Sequence, residues 1–283
     1  MNTPKLKRLP TVAAVALLLM IITLAPCVAY AQAKTSVLVV GSTDKYHAGS
    51  VAKGRDFFAK LAADNNLNLR FTQDTSLIND DTLAKYQVFV QLHLAPFDMS
   101  GSQQQALQKF ITQGKAWVGI HAAGLTGKQF HPADTYWQWF EDAMGGVVYS
   151  PHPKFQQGTL IIEDRAHPST RNMPPTLVMT DEWYEFDKSP RPNVRVLARA
   201  DESSYHQNKP MGDHPLIWVN EKYRRFIYIG VGHDSTAYDN PPYATLVRDA
   251  ILWAGTKCHA KNTTAFNNAQ PVTASNKKPS VSK

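Results

Sequence analysis

Four short apolar runs, at residues 36–40, 67–71, 88–92 and 116–120, alternate with segments whose apolar residues recur at helical spacing. The first run, Ser36-Val37-Leu38-Val39-Val40, is continuous and stops at Gly41-Ser42, as expected of a strand buried on both faces of a parallel sheet. Gly49-Ser50 can then open a helix on which Val51, Phe58, Leu61 and Ala62 share a face. A polar turn is expected around Asn79-Asp80-Asp81. A second helix runs from Ser100 or Ser102 to Gln113, with Leu107, Phe110 and Ile111 on one side and Gly114 as its stop. The alternation predicts an α/β fold built on a doubly wound parallel sheet.

Beyond Gly124 the pattern changes. Asp134 can cap an aromatic helix carrying Trp137, Phe140 and Met144 and ending at Gly145-Gly146. Strands are then expected at 159–162, 194–198, 216–219 and 226–229 with no helix between them, which predicts a β-rich extension, antiparallel or inserted. Pro241-Pro242 opens the last helix. Its Tyr243, Leu246, Val247, Ala250, Ile251 and Ala254 give the clearest amphipathic period in the chain, and Gly255 ends it.

The polar chemistry collects where apolar runs end. His47 follows the first run, His93 the third, His121 the fourth and His233 the last, and the C-terminal ends of parallel strands share one edge of a sheet. His121 sits in Gly119-Ile120-His121-Ala122-Ala123-Gly124, whose small residues leave room for a tight turn and a close ligand. A second set lies in the less regular half: His152-Pro153, Glu182-Trp183-Tyr184, and Asp213-His214-Pro215. Histidine beside carboxylate suits general acid-base work or a divalent metal, and without a His-Glu-x-x-His spacing the sequence leaves the cofactor open.

The ends of the chain carry separate signals. Lys5, Lys7 and Arg8 precede an uncharged run from Thr11 to Ala29 and then Ala29-Tyr30-Ala31, which predicts a signal peptide over residues 1–31, cut before Gln32. Cleavage would leave a periplasmic or secreted protein with no stable membrane insertion. Leu24-Ala25-Pro26-Cys27 fits a lipid-anchor box poorly because of its proline. The mature chain would keep one cysteine, Cys258, and so neither a disulfide nor a cysteine metal cluster. Residues 261–283 are rich in Asn, Thr, Ser, Pro and Lys and are expected to be disordered. The net charge of +7 resides in these ends: without those three leader residues and the four tail lysines, 23 basic residues face 23 acidic ones, so no nucleic-acid footprint remains. One domain is expected over 34–257, and a homo-oligomer stays open.

Tyr46-His47, Gly119-Ile120-His121-Ala122-Ala123, His152-Pro153, Glu163-Asp164-Arg165 with His167-Pro168, Asp181-Glu182-Trp183-Tyr184, Met211-Gly212-Asp213-His214-Pro215 and Gly232-His233, in this order, resemble the trehalose-utilisation (ThuA-like) family. The resemblance spans nearly all of the body. It implies a flavodoxin-like sheet of the class I glutamine amidotransferase type and a role in sugar breakdown, including keto-sugars. Amidotransferases carry a cysteine in a Gly-Ile-Cys turn; here Gly119-Ile120-His121 presents imidazole, so glutamine hydrolysis is not expected. The loop Lys45-Tyr46-His47-Ala48 departs from members with arginine before the histidine and an acidic residue after it.

Three readings follow. The first is an enzyme of carbohydrate catabolism, such as a keto-sugar isomerase, lyase or hydrolase, with His121, His233, Glu182 and His214 as its acid-base groups. His47, His152, Trp183, Tyr184 and Asp213 would contact a small carbohydrate. The second is a non-catalytic carbohydrate-binding or sensing protein. The third is a metal-dependent hydrolase with His47, His121 and His214 as ligands. Convergence of His47, His121, His214, His233 and Glu182 on one crevice is the shared structural expectation.

Overall fold

The computed structural model describes residues 34–130 and 136–256. The expected leader, the Asp134 cap, Cys258 and the tail lie outside the described residues. A nine-stranded sheet runs through the described fold. Its first half is β1 (Thr35–Gly41), β2 (Leu67–Thr72), β3 (Val88–Leu92) and β4 (Ala116–Ile120). These pair in parallel, as does β11 (Phe226–Ile229) against β4. This 2-1-3-4 order with a fifth parallel strand beside β4 is the flavodoxin-like arrangement, whose ligand crevice opens where the order reverses, between β1 and β3.

Burial explains why these segments read as unbroken apolar runs. All of β3 and β4 are buried, as is β1 from Val37 onward. Helices α1 (Ala48–Asp64), α3 (Gly101–Thr112) and α5 (Pro241–Ala254) complete the units. Ser100 and Gln103 form a reciprocal capping box at the start of α3, and the six apolar residues picked out along α5 are all buried. The turn expected near Asn79 is a short helix, α2 (Asp80–Leu83), because the Asn79 side chain accepts from Thr82 N–H and caps it. The aromatic helix is likewise short, α4 (Gln138–Ala143).

The β-rich extension is antiparallel. Strands β10 (Pro215–Val219), β9 (Arg195–Ala200), β6 (Gln156–Ile162) and β7 (Thr176–Asp181) continue the sheet from β11, and a two-stranded ribbon joins β5 (Tyr149–Ser150) to β8 (Glu185–Phe186). The whole extension is therefore threaded between β4 and β11, strands that lie side by side. It returns the chain to the edge it left, which is how residues more than 100 positions apart come together. No described helix is long and apolar enough to cross a membrane.

Candidate functional site

Each of four neighbouring strands delivers a histidine to the same edge. After β1, the Asp44 carboxylate accepts the backbone N–H groups of Tyr46 (2.8 Å) and His47 (3.0 Å) and lies 2.9 Å from His47 Nδ1. An ionised carboxylate only accepts, so Nδ1 carries the proton and Nε2 keeps a lone pair. That Nε2 is buried and has no hydrogen-bond partner.

His93 and His121 begin the loops after β3 and β4 with φ of +54° and +53°. Left-handed backbone at a residue with a Cβ costs on the order of 1–2 kcal/mol and persists where surroundings hold it. Tyr228 Oη donates to His121 O at 2.9 Å, and His93 N donates to Ile120 O at 3.2 Å. Gly124 closes the turn because the Tyr228 ring occupies the space a side chain would need there. His121 Nδ1 faces Gly230 O at 3.4 Å, which turns its Nε2 lone pair the other way. Ser50 Oγ donates to Gly232 O (3.0 Å), so the 2.9 Å contact between Ser50 and His93 takes its hydrogen from His93 Nε2, leaving His93 Nδ1 bare and buried.

The loop after β11 is held from below. Asp181, fully buried at the end of β7, accepts the N–H groups of Gly232 (2.7 Å), His233 (3.2 Å) and Glu182 (2.9 Å). One carboxylate thus fixes both sources of the site's last two side chains. Glu182 Oε2 lies 3.0 Å from His233 Nδ1 and 3.3 Å from both His121 Nε2 and His152 Nε2. These approaches are close but misaligned, since His121 Nε2 and His233 Nδ1 still lack a hydrogen-bond partner. The rings pack tightly: His47 stacks on His93 at 4.7 Å, and His47, His121 and His233 meet edge to face at 5.0–5.3 Å. The Tyr184 ring covers His121 at 4.1 Å.

Burial dominates the electrostatics. It pushes the His121 pKa down to about 3, places His93 well below the usual imidazole range and lowers His47 despite the neighbouring Asp44. It also pushes Asp181 up to about 7 against its three N–H donors. Burial opposes charge on Glu182 as well, but the histidines around it, His121 and His233, outweigh that and hold its carboxyl far below the usual range. For His233 burial is outweighed by Glu182, then Asp181 and Asp234, and its pKa rises. Near neutral pH the cluster therefore combines an ionised Glu182 with neutral His47, His93 and His121.

Of the five residues expected to converge, the structure brings together His47, His121, Glu182 and His233, with His152 at the rim. His214 does not join them. It is fully buried behind Tyr184, with Nε2 donating to Tyr184 O (2.8 Å) and Nδ1 2.9 Å from Glu202 Oε1 and 3.0 Å from Tyr205 Oη. Both nitrogens are occupied, so neither an acid-base nor a ligand role is open to it, and it positions the main chain of Tyr184 instead. Trp183 faces away between two residues that face the cluster: it is fully buried, donates to Gln156 O (3.0 Å) and stacks on Tyr205. Asp213 is held at the surface by Arg191 (2.6 Å) and Ser189, away from the histidines. Asp44, His93 and Asp181 were given no role by sequence reasoning, although His93 was read at the shared edge and Asp181 within the motif that carries Glu182. An acid three residues before His47 was the available signal for Asp44.

The donor set fits a divalent cation. One ligand atom each from His47, His121, Glu182 and His233 lie within 4.8 Å of one another, and three of them are buried imidazole nitrogens without partners. Three nitrogens and a carboxylate oxygen suit zinc or a similar first-row metal. Asp44 behind His47 supplies the outer carboxylate that such ligands usually have.

A family model described as ThuA, trehalose utilisation, matches residues 36–254. Among solved structures, a ThuA-like protein from Bacteroides uniformis is 28% identical with a TM-score of 0.71, over 80% of this chain and 93% of that one. Another from Parabacteroides merdae is 16% identical with a TM-score of 0.58, over 82% and 94%. No curated protein matches the chain.

Proposed function

Because the chain belongs to the ThuA family of trehalose utilisation, which gives it a carbohydrate-related role, we propose that it acts on a sugar or keto-sugar at a divalent-cation centre held by His47, His121, Glu182 and His233. The observation that carries this reading is the set of converging, partnerless ring nitrogens around one carboxylate. The His47 Nε2 lone pair is buried with no donor, at a cost of about 1–3 kcal/mol, and two further ring nitrogens converge beside it on one carboxylate without hydrogen-bond geometry, which a common ligand explains better than packing. A bound cation would supply polarisation of a sugar carbonyl or hydroxyl oxygen.

The protein's own groups handle protons. His152 Nδ1 lies 2.7 Å from Pro153 O, a pure acceptor, so it keeps its hydrogen and leaves Nε2 as the basic nitrogen, 3.3 Å from Glu182 and partly open to solvent. A proton taken from the sugar at this rim has His152 Nε2 as its acceptor, with the ionised Glu182 carboxylate beside it. Tyr184, against His121, closes the other side to water.

Metal analysis of the purified full chain, with a keto-sugar turnover screen before and after chelation, tests the reading. About one equivalent of a divalent metal and activity that disappears on chelation and returns on reloading are expected. Turnover that survives metal removal overturns the cation and favours the same four residues as a pure acid-base site, to which the raised pKa of His233 already lends weight. Sugar binding with no turnover in any assay favours a sensing protein. The charged start and apolar run before Ala31 support export as part of the same proposal. Intact mass of exported protein should begin at or near Gln32, and a mass retaining residues 1–31 would refute it.

A further inference from the structure

One histidine of the shared edge supplies no atom to the donor set. His93 is 0% exposed, takes left-handed backbone and keeps a bare Nδ1, yet the converging ligand atoms belong to His47, His121, Glu182 and His233. Its ring nevertheless lies against two of those residues: it stacks on His47 (4.7 Å between centres, 13° between planes) and meets His121 edge to face at 5.4 Å. A strained, fully buried imidazole that gives no ligand atom needs another reason to be there.

That reason lies in the peptide group leading into His233. Gly232 C=O and His233 N–H belong to one plane, and both of its ends are held: His233 N–H donates to Asp181 Oδ1 (3.2 Å), and Gly232 O accepts from Ser50 Oγ (3.0 Å). Gly232 itself offers no side chain to steady the turn. Its φ of +118° favours glycine, and a Cβ there would lie 2.0 Å from Tyr243 Oη.

The Ser50 hydroxyl has a single hydrogen, and two buried neighbours can take it: Gly232 O, and His93 Nε2 at 2.9 Å. The carbonyl can only accept. Ser50 therefore serves Gly232 O when His93 Nε2 carries its own hydrogen and donates it to Oγ. The opposite tautomer of His93 would draw the Ser50 hydrogen to itself and leave the carbonyl without a donor. The bare Nδ1 of His93 is what the first arrangement leaves behind.

Resting on the cation reading above, we propose that His93 and Ser50 are positioning residues of the cation centre: His93 fixes the Ser50 hydroxyl on Gly232 O, which orients His233, while its stacked ring backs His47. A residue that is not itself a ligand thus governs two that are, one from the loop after β1 and one from the loop after β11.

The test uses the full chain, titrated with zinc against a chromophoric chelator, together with heteronuclear NMR of its imidazole nitrogens. Before zinc is added, His93 should carry its hydrogen on Nε2. Zinc should then shift the coordinating nitrogens of His47, His121 and His233 and leave Nδ1 of His93 bare. Ser50→Ala removes both bonds of the relay and should weaken zinc binding about tenfold, as loss of an outer hydrogen bond to a ligand commonly does. Thr170→Ala also deletes a buried hydroxyl bond, to Asp164 O in the extension, and should keep zinc affinity within twofold of wild type, which separates lost positioning from general loosening. A Ser50→Ala chain that binds zinc as tightly as wild type would overturn the relay and leave the cation reading standing. So would a hydrogen on Nδ1 of His93, or a zinc-induced shift there like that of the ligands, and both are read on the wild-type chain should Ser50→Ala fail to fold. A wild-type chain that binds no zinc would overturn both.

Discussion

Two histidines in left-handed backbone mark the centre of the site at the scale of single residues. The sequence made His121 conspicuous because small residues surround it, but nothing in it showed that the histidine itself, rather than a glycine, takes the positive φ. That conformation is imposed by partners distant in sequence, Tyr228 above all. Tautomers were equally hidden, since they depend on which neighbour can only accept: Asp44 for His47 and Pro153 O for His152. Asp44→Asn keeps the size of the side chain while losing its charge, so His47 Nδ1 no longer faces an obligate acceptor and the ring's orientation is released. Loss of such an outer carboxylate typically weakens metal affinity 10–100-fold, and that is the expected drop in competition with a chromophoric chelator. Unchanged affinity would show that the charge of Asp44 does not support the cation site.

At the scale of elements, the parallel half was legible because strands buried on both faces write themselves as apolar runs. Strand β7 was not, since it follows Pro174-Pro175 and its short apolar stretch Leu177-Val178-Met179 is flanked by polar residues. Its exposure nevertheless alternates strictly from Thr176 to Asp181, which puts Asp181 in the buried phase. An acid in that phase was a readable anomaly, and it holds the β11 loop and Glu182 together. Asp181→Ala would leave buried N–H groups of Gly232 and Glu182 without their acceptor, at about 1–3 kcal/mol for each group. We therefore expect a loss of about 2–4 kcal/mol in urea unfolding, with faster amide exchange at Gly232 and His233. A loss below about 1 kcal/mol would mean the loop is held by other contacts. His214 shows the converse error: a histidine in a polar turn looked chemical, but the extension folds over it and uses both its nitrogens for packing.

The molecule as a whole keeps several imidazoles neutral by burial, which ties its stability to pH. His167 is the one to follow, because it lies in the extension and takes no part in the cation cluster. It is 5% exposed, its ring meets Trp253 at 4.6 Å, and its Nδ1 accepts the Ser169 N–H at 3.2 Å, which a protonated ring could not do. Burial, helped by the charge of Arg195, lowers its pKa from 6.5 to about 4. Between these values the unfolded chain binds a proton that the folded chain does not. The contribution of this group is therefore complete above about pH 6.5 and is lost progressively as pH falls toward 4. Going from pH 7.5 to 5 should remove about 1–2 kcal/mol on this account, partial solvent screening included. His167→Asn retains an acceptor for Ser169 but does not titrate, and it loses the ring contact with Trp253 at every pH. Urea unfolding at the two pH values should thus show the variant less stable at 7.5 and the gap to wild type narrowing by about 1–2 kcal/mol at 5. A gap that stays constant would mean His167 titrates alike in the folded and unfolded chain, and the acid sensitivity of the fold would then belong to other groups.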